Sequence, residues 1–139
     1  MKYLVFLLSV LLSACASADN NGCEQRYTDL SNLLNKTHRH LQEVMDVDLL
    51  RSQVYQLEDS LDALEVDLKR CLKKMIKLRI RKGYGDEYQK YYRATTVINR
   101  TDNFINTYFH KKKLEEPYTI EFFILSLGVM VEEINKVKH

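Results

Sequence analysis

The chain has 139 residues, with 21 Lys or Arg against 19 Asp or Glu and a formal net charge of +2. A balance this close to zero argues against a general nucleic-acid binder, whose affinity comes from the counterions that many bases release. One proline, four glycines and no tryptophan are too few turn signals for a sandwich or barrel. Long segments with few breakers predict an all-α fold, and the length suits one domain with one core.

In chain order, Lys2 precedes a run without charge from Tyr3 to Leu12, the layout of a short secretory signal. Leu12-Ser13-Ala14-Cys15 closes that run as an aliphatic residue, a small residue, alanine and cysteine. With all four places matched, the segment resembles the lipobox of bacterial lipoproteins. The resemblance covers the first fifteen residues and identifies a processing class, not a particular protein. It implies a diacylglyceryl group on the Cys15 sulfur, cleavage before that residue and acylation of the new amine. It also implies a signal peptide at 1–14, a lipidated tether at 15–22 and a bilayer held through acylated Cys15. In a diderm bacterium, Ala16 rather than aspartate after the cysteine implies the periplasmic leaflet of the outer membrane.

A second processing route is written in the same segment. Ala16-Ser17-Ala18 is an A-x-A site for ordinary signal peptidase, which releases a soluble protein beginning at Asp19. Cys15 is then only a signal-peptide residue. The sequons Asn35-Lys36-Thr37 and Asn99-Arg100-Thr101 would suit a glycosylated secretory chain. Both routes place the mature protein outside the cytosol.

With Cys15 lipidated, Cys23 and Cys71 remain as a pair for a disulfide in an oxidising compartment, the alternative being two free thiols. Neither has a second cysteine or histidine at zinc-ligand spacing. From Glu24, Leu30, Leu34, Leu41 and Val44 share one helical face with Leu33 beside them, until Asp46-Val47-Asp48 interrupts with two good N-cap residues. Val47, Leu50, Val54, Leu57, Leu61, Leu64, Leu68, Cys71, Met75 and Leu78 then alternate spacings of three and four, the seam of a long helix packed at a shallow angle. The step from Val44 to Val47 is three where four is due, so a stammer bends one helix or a turn separates two. Cys23 and Cys71 each lie 24 positions from residue 47. A fold-back there brings them side by side, whereas a continuous helix holds them about 70 Å apart. The expectation is an antiparallel hairpin stapled by a disulfide opposite its turn.

Arg81-Lys82-Gly83 ends the second helix, basic residues lying at the negative end of its dipole. Gly85-Asp86 opens a third helical stretch to about Lys112, carrying Tyr88, Tyr91, Ile98, Ile105 and Tyr108 or Phe109, with polar seam positions at Thr95 and Asp102. Lys111 to Pro117 reads as a linker. Thr119 is expected to cap a last helix with Ile120, Phe123, Leu127, Val131 and Ile134 inward. Leu72, Ile76 and Ile80 form a second apolar row on helix two that calls for another partner. The last helix is apolar almost all round from Phe122 to Val131, too short a run to span a bilayer. Burial in a bundle is the expectation for it, an exposed partner-binding groove the alternative. The predicted fold is a disulfide-stapled antiparallel helical hairpin extended to a three- or four-helix bundle, a single helical domain over 23–139.

Chemistry is sparse. His38 and His40 stand at i,i+2 and point to different sides of a helix, unlike the i,i+4 pairs that hold zinc, so no metal is expected. There is no P-loop, nucleophile elbow or metalloprotease helix, so neither catalysis nor a cofactor is expected. Glu58, Asp59, Asp62, Glu65 and Asp67 read as a solvated acidic half-helix favoured by the dipole. Tyr84, Tyr88, Tyr91 and Tyr92 read as packing at the bundle edge and not as a nucleic-acid platform. Lys69, Arg70, Lys73, Lys74, Lys77, Arg79, Arg81 and Lys82 are eight bases with no acid between them. In the hairpin they point back toward the lipid on Cys15, so they are read as a patch facing anionic headgroups. The functional expectation is a structural or protein-interaction lipoprotein with an envelope protein as partner, or a second copy of itself. Its plan is similar to that of helical, disulfide-bonded pilotin lipoproteins, though no pilotin motif is present. The rival is a soluble secreted effector or inhibitor cleaved after Ala18.

Overall fold

The computed structural model describes residues 2–82, 85–110 and 117–136, with side chains within 22–77, 85–110 and 119–136. Among the described residues four helices follow one another: α1 (Lys2–Glu43), α2 (Val47–Lys82), α3 (Gly85–Ile105) and α4 (Pro117–Asn135). No strand occurs among the described residues. α1 packs on α2, α2 on α3, α3 on α4 and α4 back on α1, while α1 and α3 meet only slightly across the diagonal. The chain runs up, down, up and down, the short-loop topology of a four-helix bundle.

The break between α1 and α2 is a turn, not a stammer. Residues 44–46 are non-helical, and the Asp46 carboxylate accepts the Asp48 N–H at 2.9 Å while its carbonyl accepts the Leu50 N–H at 3.0 Å. Asp46 therefore caps α2, satisfying a donor that the first turn leaves without an intrahelical partner. The fold-back brings Cys23 and Cys71 together as a disulfide with their Cα atoms 5.8 Å apart. Between turn and staple the seam is buried: Leu30, Leu34 and Leu41 of α1 meet Leu50, Val54, Leu57, Leu61, Leu64 and Leu68 of α2 in one cluster. Val47 opens the α2 seam on the turn and is exposed, unlike the residues behind it. α1 extends as a helix from Lys2, so residues 15–22 are helical.

The expected second row on α2 is partly used. Leu72 packs against the core, but Ile76 is exposed; Leu78 and Ile80 lie outside the described side chains. α3 begins at Gly85 as expected and buries Tyr91, Ile98 and Ile105, adding Ala94, Thr95, Val97 and Thr101. Its seam tolerates threonine because each hydroxyl bonds a carbonyl of its own helix, Thr95 to Tyr92 at 2.9 Å and Thr101 to Val97 at 2.8 Å. A π-helical turn at Asn106–His110 continues α3. The wider turn admits one more residue per circuit, so both expected aromatics serve. Phe109 is buried with its ring 4.6 Å from that of Phe123, and Tyr108 meets the same ring at 6.5 Å.

α4 starts at Pro117, the residue expected to close the linker, and Thr119 is buried inside the helix rather than capping it. Proline suits a first helical position because its missing N–H would be unpaired there; the linker residues 111–116 and Gly83 lie outside the described residues. Phe123, Leu127, Met130 and Ile134 form the inner face, with Ile120 and Val131 packed at its edge. The expectation that the bundle buries the apolar remainder of α4 is not met. Phe122, Leu125 and Val129 are 56 %, 66 % and 53 % exposed, because α1 and α3 cover only one side of this helix.

The staple closes a loop with a sequence separation of 48 residues. In the chain-entropy model this stabilises the fold by about 4 kcal/mol. Cys23→Ser with Cys71→Ser is expected to lower the denaturation midpoint by a corresponding amount while leaving helix content at low temperature unchanged. Chemical denaturation followed by circular dichroism checks this.

Candidate functional site

The end of the bundle that carries the staple is the best-built polar region of the molecule. Beside Cys23, Glu24 of α1 accepts two hydrogen bonds from the Lys90 ammonium of α3, at 2.7 and 2.6 Å. That ammonium also lies 4.8 Å from the centre of the Tyr27 ring and 5.8 Å from that of Tyr91, within cation–π range. The two rings meet edge to face at 6.5 Å. The Tyr27 hydroxyl donates to the Ile134 carbonyl at 2.5 Å, satisfying one of the acceptors that the last turn of α4 leaves over. Burial pushes the Tyr91 phenol well above its usual range, and the Glu24 carboxylate adds to this; burial also raises Tyr27. Neither phenol ionises near neutral pH, so this cluster works as a clasp joining α1, α3 and α4. One turn further along, Ser31 and Asn35 of α1 share Asn135 of α4 at 3.2 and 3.3 Å. The first sequon thus holds its asparagine amide in a helix interface, and a glycan there would break the Asn35–Asn135 contact; Asn99 of the second stands exposed.

α2 runs past the staple to Lys82 at this same end. The eight bases read as one patch are not equivalent. Lys69 is paired with Glu65 at 2.6 Å and Arg70 with Asp67 at 3.6 Å, while Lys73 and Lys77 are exposed and Lys74 is half-buried. Arg79, Arg81 and Lys82 lie outside the described side chains, as does Cys15. Tyr88 and Tyr92 stack at 5.9 Å along α3, and Tyr84 is outside the described residues.

The acidic half-helix of α2 does more than face solvent. Asp67 takes Arg26 of α1 at 2.9 Å, and Glu58 takes His110 of the π turn at 2.8 Å, with Tyr55 stacked on that imidazole. Asp62 and Glu65 meet Asp102 of α3, their carboxylate oxygens all within 4.8 Å of one another. One Asp102 oxygen is buried without a hydrogen-bond partner. Burial, reinforced by the charges of Asp62, Glu65 and Glu58 and opposed by Lys69, pushes the Asp102 carboxyl up to about 6. A metal was not expected from the sequence, and these carboxylates are the one grouping of metal-ligating residues among the described residues.

The expected histidine surface is also more specific in space. His38 lies over Gly128 of α4, where an added Cβ would stand 3.0 Å from the imidazole Nε2. His40 faces the other way, lining a cleft of about 260 Å³ between α1 and α2 with Lys36, Thr37, Gln53, Gln56 and Ser60. Thr37 takes a seam position between Leu34 and Leu41, and its short side chain leaves that space open. With the geometry in place, comparison with known proteins gives no template: no family model, no curated protein and no solved structure matches the chain.

The Asp102 cluster sets a pH dependence with a definite sign. A carboxyl raised above its unfolded value of 3.8 to about 6 favours the folded state while protonated, and loses that stabilisation as pH rises through the folded value. Asp102→Asn is therefore expected to stabilise the protein at pH 8 by about 1 kcal/mol after allowance for solvent screening, with little effect near pH 4. Denaturation midpoints of the two proteins across this range check the sign.

Proposed function

We propose that this protein is a lipid-anchored extracytoplasmic helical lipoprotein that acts through protein contacts, as a small assembly factor similar in plan to pilotins. The observation that carries the reading is the cysteine arithmetic in space. Of three cysteines, Cys23 and Cys71 are joined to each other, which leaves Cys15 outside the disulfide and upstream of the bundle at its stapled end. That is the residue that closes the lipobox-like segment. Three acyl chains on it would hold far more firmly than the single chain that binds only marginally. Among the described residues no helix is long and apolar enough to cross a membrane, so attachment in this reading comes from lipid. The outer membrane's periplasmic leaflet is the location proposed, on the strength of Ala16.

The basic tail of α2 fits the same reading. It continues about 16 Å of helix past Cys71, at the end of the bundle from which the lipid would emanate. Lys69 and Arg70 are paired with Glu65 and Asp67, while Lys73 and Lys77 further along are exposed and would carry the membrane-facing contribution. Each is worth roughly 1 kcal/mol near an anionic surface.

Cys15→Ala is expected to move the protein from membrane to soluble fractions; unchanged partition would contradict the anchor and favour release after Ala18. For the basic tail, the Cys15→Ala protein should bind anionic vesicles at low salt and release as ionic strength approaches physiological values. Replacing Lys73, Lys77 and Arg81 by Gln should weaken that binding with helix content unchanged. Equal binding by both proteins would leave the tail as a solvated helix end.

A further inference from the structure

α4 is built with two faces of the same periodicity. The inner one, Phe123, Leu127, Met130 and Ile134, fills the core. The outer one, Phe122, Leu125 and Val129, repeats with spacings of three and four and is more than half exposed at every position. Glu132 follows at the next step of that seam, and Glu121 lies beside its start; both are exposed. Neither makes an ion pair with another described residue. The outer face is therefore an apolar stripe with a carboxylate beside each end, the two acids eleven positions and about 16 Å apart along the axis; one turn beyond Glu132, Lys136 is exposed and paired with Glu133 at 3.3 Å.

Three large apolar side chains at knob spacing on a rigid helix are the pattern by which one helix receives another. The acids at the ends select among occupants. In a second copy packed antiparallel with Phe122, Leu125 and Val129 in contact, Glu121 falls beside Glu132 of the second copy at both ends. A parallel pairing sets Glu132, which stands on the seam, against itself. A slide that brings Glu121 to Lys136 of the second copy sets Leu125 against Glu132 and gives up the apolar contact. Each of these self-pairings thus sets acid beside acid or gives up part of the stripe. An anionic bilayer surface meets the same two carboxylates and is repelled by them.

We propose that the outer face of α4 docks an amphipathic helix of another protein, with aliphatic residues at three-four spacing and Lys or Arg about eleven residues apart. The aliphatic side chains pack on Phe122, Leu125 and Val129, and the two bases meet Glu121 and Glu132 at the rim. Apolar packing supplies the affinity and the paired rim charges supply register and discrimination. This names the contact surface of the protein-interaction role proposed above and rests on it. Its test uses the full chain carrying Cys15→Ala, so its failure is distinguishable from failure of the lipid anchor.

The probe is a synthetic helical peptide of about five turns with leucines at three-four spacing and lysines eleven residues apart. Its twin carries glutamates in place of the lysines. Fluorescence anisotropy at low salt is expected to show the lysine peptide binding about ten-fold or more tightly than its twin. Leu125→Ser with Val129→Ser should abolish binding of both, with the denaturation midpoint unchanged because these residues are exposed. Glu121→Gln with Glu132→Gln should bring the two peptides to equal affinity. Equal binding of both peptides by the unaltered face, or no binding of the lysine peptide, would overturn the proposal. So would self-association in sedimentation, or binding to anionic vesicles, that the Leu125 and Val129 substitutions remove.

Discussion

A covalent link between Cys23 and Cys71 closes the open end of the α1–α2 hairpin, and the rest of the bundle is built on the register it shares with the Asp46 turn. With both ends of the pair fixed, the leucines of α1 and α2 face each other along their length, and sliding by one helical turn is blocked. α3 packs on α2 and α4 on α1, closing the bundle on this pair. The clasp of Tyr27, Lys90, Glu24 and Tyr91 lies beside the staple and ties α1, α3 and α4 together at that end. One covalent link thereby works beside the polar contacts that join the helices, such as Arg26 with Asp67 and Asn35 with Asn135.

The bundle has a polarity that follows from this arrangement. The stapled end gathers the chain upstream of Cys23 and the basic tail of α2. The opposite end carries the hairpin turn, with Met45, Val47 and Leu49 exposed. Along the side, α4 turns an apolar seam outward between two acids. In the proposed reading, attachment and recognition are separated on one small rigid body: lipid and bases at the stapled end, partner contact along α4. The acidic side of α2 divides between tertiary ion pairs and the Asp102 cluster, which makes the α2–α3 seam respond to pH without bearing on either surface.

The hairpin was legible in the sequence because its evidence was redundant. An unbroken three-four repeat from Leu50 to Met75, an aspartate cap and two cysteines equidistant from the turn all require the same geometry. α3 was legible in outline, but Ala94 and Thr101 were missed, since small and threonine residues carry little apolar signal until a neighbouring helix covers them, and Val97 was missed because it lies beside the seam through Tyr91 and Ile98. The choice between Tyr108 and Phe109 dissolved because a π turn lets both reach Phe123, and no local signal announces that turn. α4 was misread for a physical reason. A helix that is apolar all round has no preferred face, so its sequence does not tell how much of it the same chain will cover. The spacing of Phe122, Leu125 and Val129 was the available clue to a second seam. Asp102 was visible as a polar interruption, but its meeting with Asp62 and Glu65 depends on the α2–α3 packing.

The proposed function requires one chain state: Cys23 joined to Cys71, with Cys15 at the mature N-terminus carrying lipid. Peptide mapping by mass spectrometry, without reduction and after alkylation of free thiols, reads all three cysteines at once in protein taken from its native membrane. A linked Cys23–Cys71 peptide pair and an acylated N-terminal peptide beginning at Cys15 are the expected result. Alkylated Cys23 and Cys71, or an unmodified chain beginning at Asp19, would contradict it.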